Sequence, residues 1–230
     1  MGIYKTGIWK TNNIYEKTLP DGYIELEYIE STDTQYIDTD FKPNQDTRAI
    51  IDFEIITHSN WKDPFGTCGG ENNTAGKWFL LEMNNNGQYN FDYGRGGQPG
   101  IGSTLGRHYI DWNKNVAIYD GTTYTFTAAT FQSDYNMHIF GATVYGGSHG
   151  GTPEMKLYSF KLYDNGTLIR NYIPAKRAVD SVIGLYDTVN NEFYENAGTG
   201  TFIAGSAMSG ASDKAKIYEN KLEANSFIEI

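Results

Sequence analysis

The feature that most constrains this chain is an apolar alternation of period two that recurs from about Tyr23 onward, each stretch bounded by Gly, Asn or Asp. Side chains alternate across a strand, so such stretches build half-buried sheets and not helices. Ile24, Leu26 and Tyr28 stand opposite Glu25 and Glu27. Residues 48–57 form the best strand, with Ala49, Ile51, Phe53 and Ile55 set against Arg48, Ile50, Asp52 and Glu54. Ile50 and Ile56 break strict alternation there and suggest burial on both sides. Residues 77–82, 88–93, 107–112, 137–141, 154–163 and 167–173 continue the series, and in residues 154–163 Tyr158, Phe160 and Leu162 read as the heavier apolar face. Asp120-Gly121 and Asn165-Gly166 suit the positive-φ positions of tight hairpin turns. No long stretch carries a capped 3.6-residue period, so helix content is expected to be low.

Composition agrees with many short strands joined by turns: 15% of residues are aromatic, glycine occurs 26 times and proline six times. A length of 230 residues fits one large β-sandwich with short arms. The net charge of -10, with no concentration of Lys and Arg, argues against nucleic acid as a partner. No apolar run approaches the roughly 20 residues that span a bilayer, so membrane insertion is not expected. Cys68 is the single cysteine, which leaves no internal disulfide and no multi-cysteine metal site; it reads as a buried spectator. Residues 1–7 lack the basic and apolar segments of a secretory signal, so Asn72 and Asn165, each in an Asn-x-Thr triplet, are read as coincidence.

The chain is expected to divide into an N-terminal arm (1–18), a domain (19–204), and a linker with a C-terminal docking segment (205–230). Residues 204–212 are small and flexible in character. Both arms carry apolar residues that a free tail does not need: Ile3, Tyr4, Ile8 and Trp9 in the first, Ile217, Tyr218, Leu222, Phe227 and Ile228 in the second. They either add edge strands to their own sandwich or dock on a partner, and the second reading carries with it a homo-oligomer.

Residues 19–39, Leu19-Pro20-Asp21-Gly22-Tyr23-Ile24-Glu25-Leu26-Glu27-Tyr28 and onward to Thr39, resemble the opening of laminin-G-like, concanavalin A-type domains of phage and prophage virion proteins. Residues 155–166 resemble the penultimate hairpin of that family, and Gly184-Leu185-Tyr186-Asp187 with residues 191–194 and 196–200 its closing segment. The resemblance implies an all-β, two-sheet antiparallel jelly-roll sandwich with loops at the edge of a concave face. Together with the missing secretory signal, the acidic composition and the apolar arms, which lie outside the resemblance, it points to a non-enzymatic virion structural protein, made in the host cytoplasm and released by lysis. Such a protein would display a lectin-like domain for host-surface glycans, its arms docked on other virion proteins. A purely architectural virion part and a glycan-cleaving enzyme are the alternatives, since function transfers poorly within this fold.

Catalytic constellations are hard to find in the sequence. Glu25 with Glu27, and Glu192 with Glu195, read as solvated carboxylates. His58, His108, His138 and His149 are scattered with no zinc spacing. The Gly-rich run of residues 94–100 lacks the following Lys-Ser/Thr of a phosphate cradle. No cofactor is expected, although calcium held by separate loops is possible in the resembling family and no ligands for it can be named. Saccharide recognition needs aromatic faces beside hydrogen-bonding groups, which nominates Trp61, Tyr93, Arg95, Trp112, Tyr145 and His149. The competing reading of each is core or rim packing.

Overall fold

The computed structural model describes residues 19–69, 76–95 and 100–208. Leu19–Ala207 form one compact unit made of two antiparallel-rich sheets. Ile3, Tyr4, Ile8, Trp9, Ile217, Tyr218, Leu222, Phe227 and Ile228 lie outside the described residues. The helical content of the described residues is a single 3-10 turn, Tyr145–Gly147.

The larger sheet runs in the order Thr122–Thr125, Val116–Tyr119, Gly106–Asn113, Thr47–Ile55, Glu154–Asp164, Thr167–Arg177, Ile183–Asp187, Glu192–Glu195. Tyr23–Glu25 joins it against Thr167–Arg177, and Ile29–Thr32 against Glu154–Asp164, with Ile203–Ala204 beyond. The smaller sheet is built on Lys62–Thr67, which pairs with Phe79–Met83 on one side and with His138–Ile139 and Ala142–Val144 on the other. Tyr89–Tyr93, Ser148–Gly150 and Ile37–Asp38 complete it. Ala142–Val144 runs parallel to Lys62–Thr67; the other pairs are antiparallel.

The strand Thr47–Ile55 shows how the pattern becomes packing. Its residues alternate buried and half-buried along the whole length, placing Ala49, Ile51, Phe53 and Ile55 in the core. Ile50 is half-buried on the outer face and Ile56 is exposed, so the strand is covered on one side and not on two. Two hairpins close as the sequence predicts: Asp120 and Gly121 have φ of 46° and 83°, Asn165 and Gly166 of 47° and 79°. Paired positive φ values belong to the turn whose twist matches that of the flanking strands.

Glu154–Asp164 departs from the expected alternation. A bulge between Leu157 and Ser159 leaves Tyr158 without an opposite residue and reverses the parity of the residues beyond it. Met155, Leu157, Phe160 and Leu162 therefore face the core, and Tyr158 turns outward. There its hydroxyl donates to Glu54 Oε2 (2.9 Å) and its ring lies under the Arg107 guanidinium (3.6 Å). That outer face is a ladder of cross-strand ion pairs, Arg48 with Asp111, Arg107 with Asp52 and Lys156 with Glu54. Between the sheets Trp112 from the larger stacks on Phe79 from the smaller, with ring centroids 4.2 Å apart and planes at 11°.

Candidate functional site

The outer face of the smaller sheet gathers polar groups that a sheet face rarely buries. Phe79, Leu81 and Met83 point into the core, as do Tyr89, Phe91 and Tyr93. Alternation then sends Leu80, Glu82, Asn90 and Asp92 to the other side. Glu82 is directly opposite Asn90, and Leu80 opposite Asp92. The Asn90 amide donates to Glu82 Oε1 (3.2 Å) and accepts from Asn84 Nδ2 (3.0 Å).

Asp63 joins this group because the register of Lys62–Thr67 slips against Phe79–Met83 between Lys62 and Phe65. Its backbone N–H donates to the Gly151 carbonyl (2.6 Å) and its carboxyl rests against the Gly151 Cα. A Cβ at Gly151 would sit 2.0 Å from Asp63 Oδ2, so only glycine fits beneath the carboxyl. Asp63 is 5% exposed and its Oδ1 has no hydrogen-bond partner. Burial, reinforced by the charges of Glu82 and Asp92, pushes its carboxyl well above the ordinary range. Burial also raises Glu82, against the opposing effect of its hydrogen bond from Asn90. Cys68, on the same face with Leu80 and Ala142, is buried. Burial followed by the charges of Asp63, Glu82 and Asp92 pushes its thiol up to about 12, too high for a nucleophilic thiolate.

An aromatic residue adjoins each end of the central strand Lys62–Thr67. Tyr145, 43% exposed, covers Gly69, where a Cβ would lie 2.3 Å from its ring, and meets the half-buried Trp78 edge-on. The Trp78 carbonyl accepts from the N–H of Gly94, whose neighbour Arg95 is exposed. Trp61, 60% exposed, precedes the opposite end, its N–H bonded to the Met83 carbonyl. The strand between spans about 15–20 Å at roughly 3.3 Å per residue.

Of the six residues nominated by sequence, Tyr145 meets this strip, and the exposed Trp61 and Arg95 adjoin the ends of its strands in the chain. Trp112 and Tyr93 do not belong to it: both are core residues, at 0% and 3% exposure. Trp112 Nε1 donates to the Lys114 carbonyl (2.7 Å) and the Tyr93 hydroxyl to the Gln45 carbonyl (2.6 Å), so their polar tips are already used. A large aromatic on a strand that faces the opposing sheet buries more area there than any loop position offers. His149 is also committed internally. Its ring stacks on Tyr36 at 3.7 Å and both ring nitrogens have partners, His138 Nδ1 and Thr152 Oγ1.

Asp63, Glu82, Asn90 and Asp92 escaped the sequence reading as a group. One signal was present: Tyr89-Asn90-Phe91-Asp92-Tyr93 alternates large aromatics with Asn and Asp, a pattern in which the aromatic side is core and the polar side meets something else. Among the described residues no three His, Cys, Asp or Glu side chains converge closely enough to hold a metal ion, so the calcium expectation gains no ligands. Asp63, Asn90 and Asp92 are buried, so the half-buried Glu82 carboxyl is the polar group of the strip left open to a hydroxyl. No family model matches the chain, and no match to it was found among curated proteins or solved structures.

Proposed function

We propose that residues 19–207 form a jelly-roll saccharide-binding domain, and that an oligosaccharide lies along the outer face of the smaller sheet between Trp61 and Tyr145. The observation that carries this reading is the exposure of two aromatic rings, 60% for Trp61 and 43% for Tyr145, adjoining the ends of the strand Lys62–Thr67, which pairs with the strand that bears the half-buried Glu82. Exposed ring faces suit pyranose C–H faces, and the half-buried Glu82 carboxyl is available to a hydroxyl. Binding without cleavage is the favoured activity, because Asp63 and Asp92 are sealed at 5% and 1% exposure and Cys68 is unreactive. Display on a virion is supported by the sequence resemblance of residues 19–39, 155–166, 184–187, 191–194 and 196–200, and docking of the arms on other virion proteins in a homo-oligomer by the apolar residues the arms carry.

The test is a glycan array and host-surface polysaccharides probed with the full chain and with Trp61→Ala, Arg95→Ala and Tyr145→Ala. A saccharide signal lost in Trp61→Ala and Tyr145→Ala at unchanged melting temperature supports the strip. Silence from the folded protein leaves an architectural role, and release of reducing ends from a polysaccharide moves the assignment to a glycan-cleaving enzyme using Glu82.

A further inference from the structure

The two histidines that sequence left unconnected meet at the edge of the smaller sheet. His138 comes from His138–Ile139 and His149 from the three-residue edge strand Ser148–Gly150, which pairs with Ala142–Val144. Their Nδ1 atoms are 3.0 Å apart. At that separation one nitrogen must donate and the other accept, so a single proton lies between the rings. His149 Nε2 is 2.7 Å from Thr152 Oγ1, and the opposite His138 Nε2 is 3.9 Å from Asp38. One arrangement serves every donor: Asp38 faces the Nε2–H of His138, His138 Nδ1 accepts from His149 Nδ1–H, and His149 Nε2 accepts from the Thr152 hydroxyl. Tyr36 covers the His149 ring on one side at an interplanar angle of 9°, and Gly141, where a Cβ would lie 2.2 Å from His149 Cε1, packs against its edge.

We propose that this histidine pair is an acid-sensitive latch that holds the Ser148–Gly150 strand, and with it the Tyr145–Gly147 turn, against the smaller sheet. The inference rests on the saccharide reading only for its consequence, that ligand is released on acidification because Tyr145 loses its seat on Gly69. The physical basis is the shared proton. A fully protonated pair sets N–H against N–H, and even one added proton places a cation where little water reaches it. The neighbouring charges act in both directions. Burial lowers His138, opposed by Asp38 and by a hydrogen bond to the Ala142 backbone; burial, then His138, then Lys62 lower His149 to about 4. The folded state therefore prefers the neutral rings. A depressed base binds fewer protons folded than unfolded, so its contribution is complete above pH 6.5 and is withdrawn as pH falls from 6.5 toward 4.

Hydrogen exchange of the full chain, expressed as protection factors, reads the latch without any ligand, and NMR titration of the histidine ring protons reads the pair itself. Protection of residues 145–150 is expected to fall by up to tenfold per pH unit between 6.5 and 4, with a shallower profile in His149→Gln, whose amide does not titrate and which leaves His138 as the one ring of the pair. The His149 ring is expected to titrate near 4. An ordinary midpoint near 6.5 for His149 in the wild-type protein overturns the proposal whether or not the variant folds, as does a pH slope that is undiminished in folded His149→Gln. Acid-dependent protection with no saccharide bound at any pH defeats the saccharide strip and leaves the latch standing.

Discussion

Replacing Asp63 by Asn tests the electrostatics of the strip most directly. The carboxyl is 5% exposed, its Oδ1 has no partner, and Glu82 and Asp92 repel its charge, so the fold holds it protonated above its ordinary value of 3.8. The unfolded chain ionises near 3.8. An acid raised by folding contributes fully below that value, and the contribution is lost as pH rises toward the folded pKa, because the unfolded chain releases the proton first. Each pH unit within that window removes up to about 1.4 kcal/mol. Asn has the same shape, fits over Gly151 and cannot ionise. At pH 4 the two proteins should differ little, since a neutral acid and an amide each leave about one polar group unsatisfied. As pH rises above 4, Asp63→Asn should become progressively the more stable of the two. Urea denaturation of both proteins at pH 4, 5, 6 and 7 measures the difference, and subtracting one curve from the other removes the opposite trend from His149. Parallel pH curves would refute the reasoning, since they mean that folding leaves the Asp63 carboxyl at its ordinary value.

Two further predictions concern residues the structure reassigns. Trp112→Ala should cost about 3–5 kcal/mol in urea denaturation, because the ring is fully buried against Phe79, Phe91 and Phe65 and its loss also strips the Lys114 carbonyl of its donor; a cost below about 1 kcal/mol would return Trp112 to the surface. Cys68 should react with iodoacetamide at pH 8 on the order of a thousandfold more slowly in the folded chain than in urea, as a thiol raised from 9.0 to about 12 has correspondingly less thiolate. Equal rates would show that the thiol is neither buried nor raised.

Much of the architecture was legible because it is local. Asp120-Gly121 and Asn165-Gly166 specify their turns through the φ values that Asp, Asn and Gly tolerate, independent of anything distant. Thr47–Ile55 was readable because its alternation is unbroken and one sheet face is buried. The bulge at Tyr158 was not readable, since a single inserted residue looks locally like any other strand position and its effect appears only when pairing with Asp52 and Phe53 is known. The strip was half legible. Trp61, Arg95 and Tyr145 were found by residue type in loops, whereas Asp63, Glu82 and Asp92 come from three strands and meet only through the register of the smaller sheet.

Alternation and turn chemistry, which are properties of neighbouring residues, were enough by themselves to determine that this chain builds antiparallel-rich β-sheets with little helix and with hairpins at stated residues. Tertiary structure alone decided which apolar rings face the second sheet and which face water. It therefore separated Trp112 and Tyr93 from Trp61 and Tyr145, aromatics that composition could not distinguish. It also decided the charges: a carboxylate or an imidazole departs from its ordinary behaviour only when burial removes its water and a second group approaches. The Asp63 cluster and the His138–His149 pair were assembled by strand pairings between residues far apart in the chain.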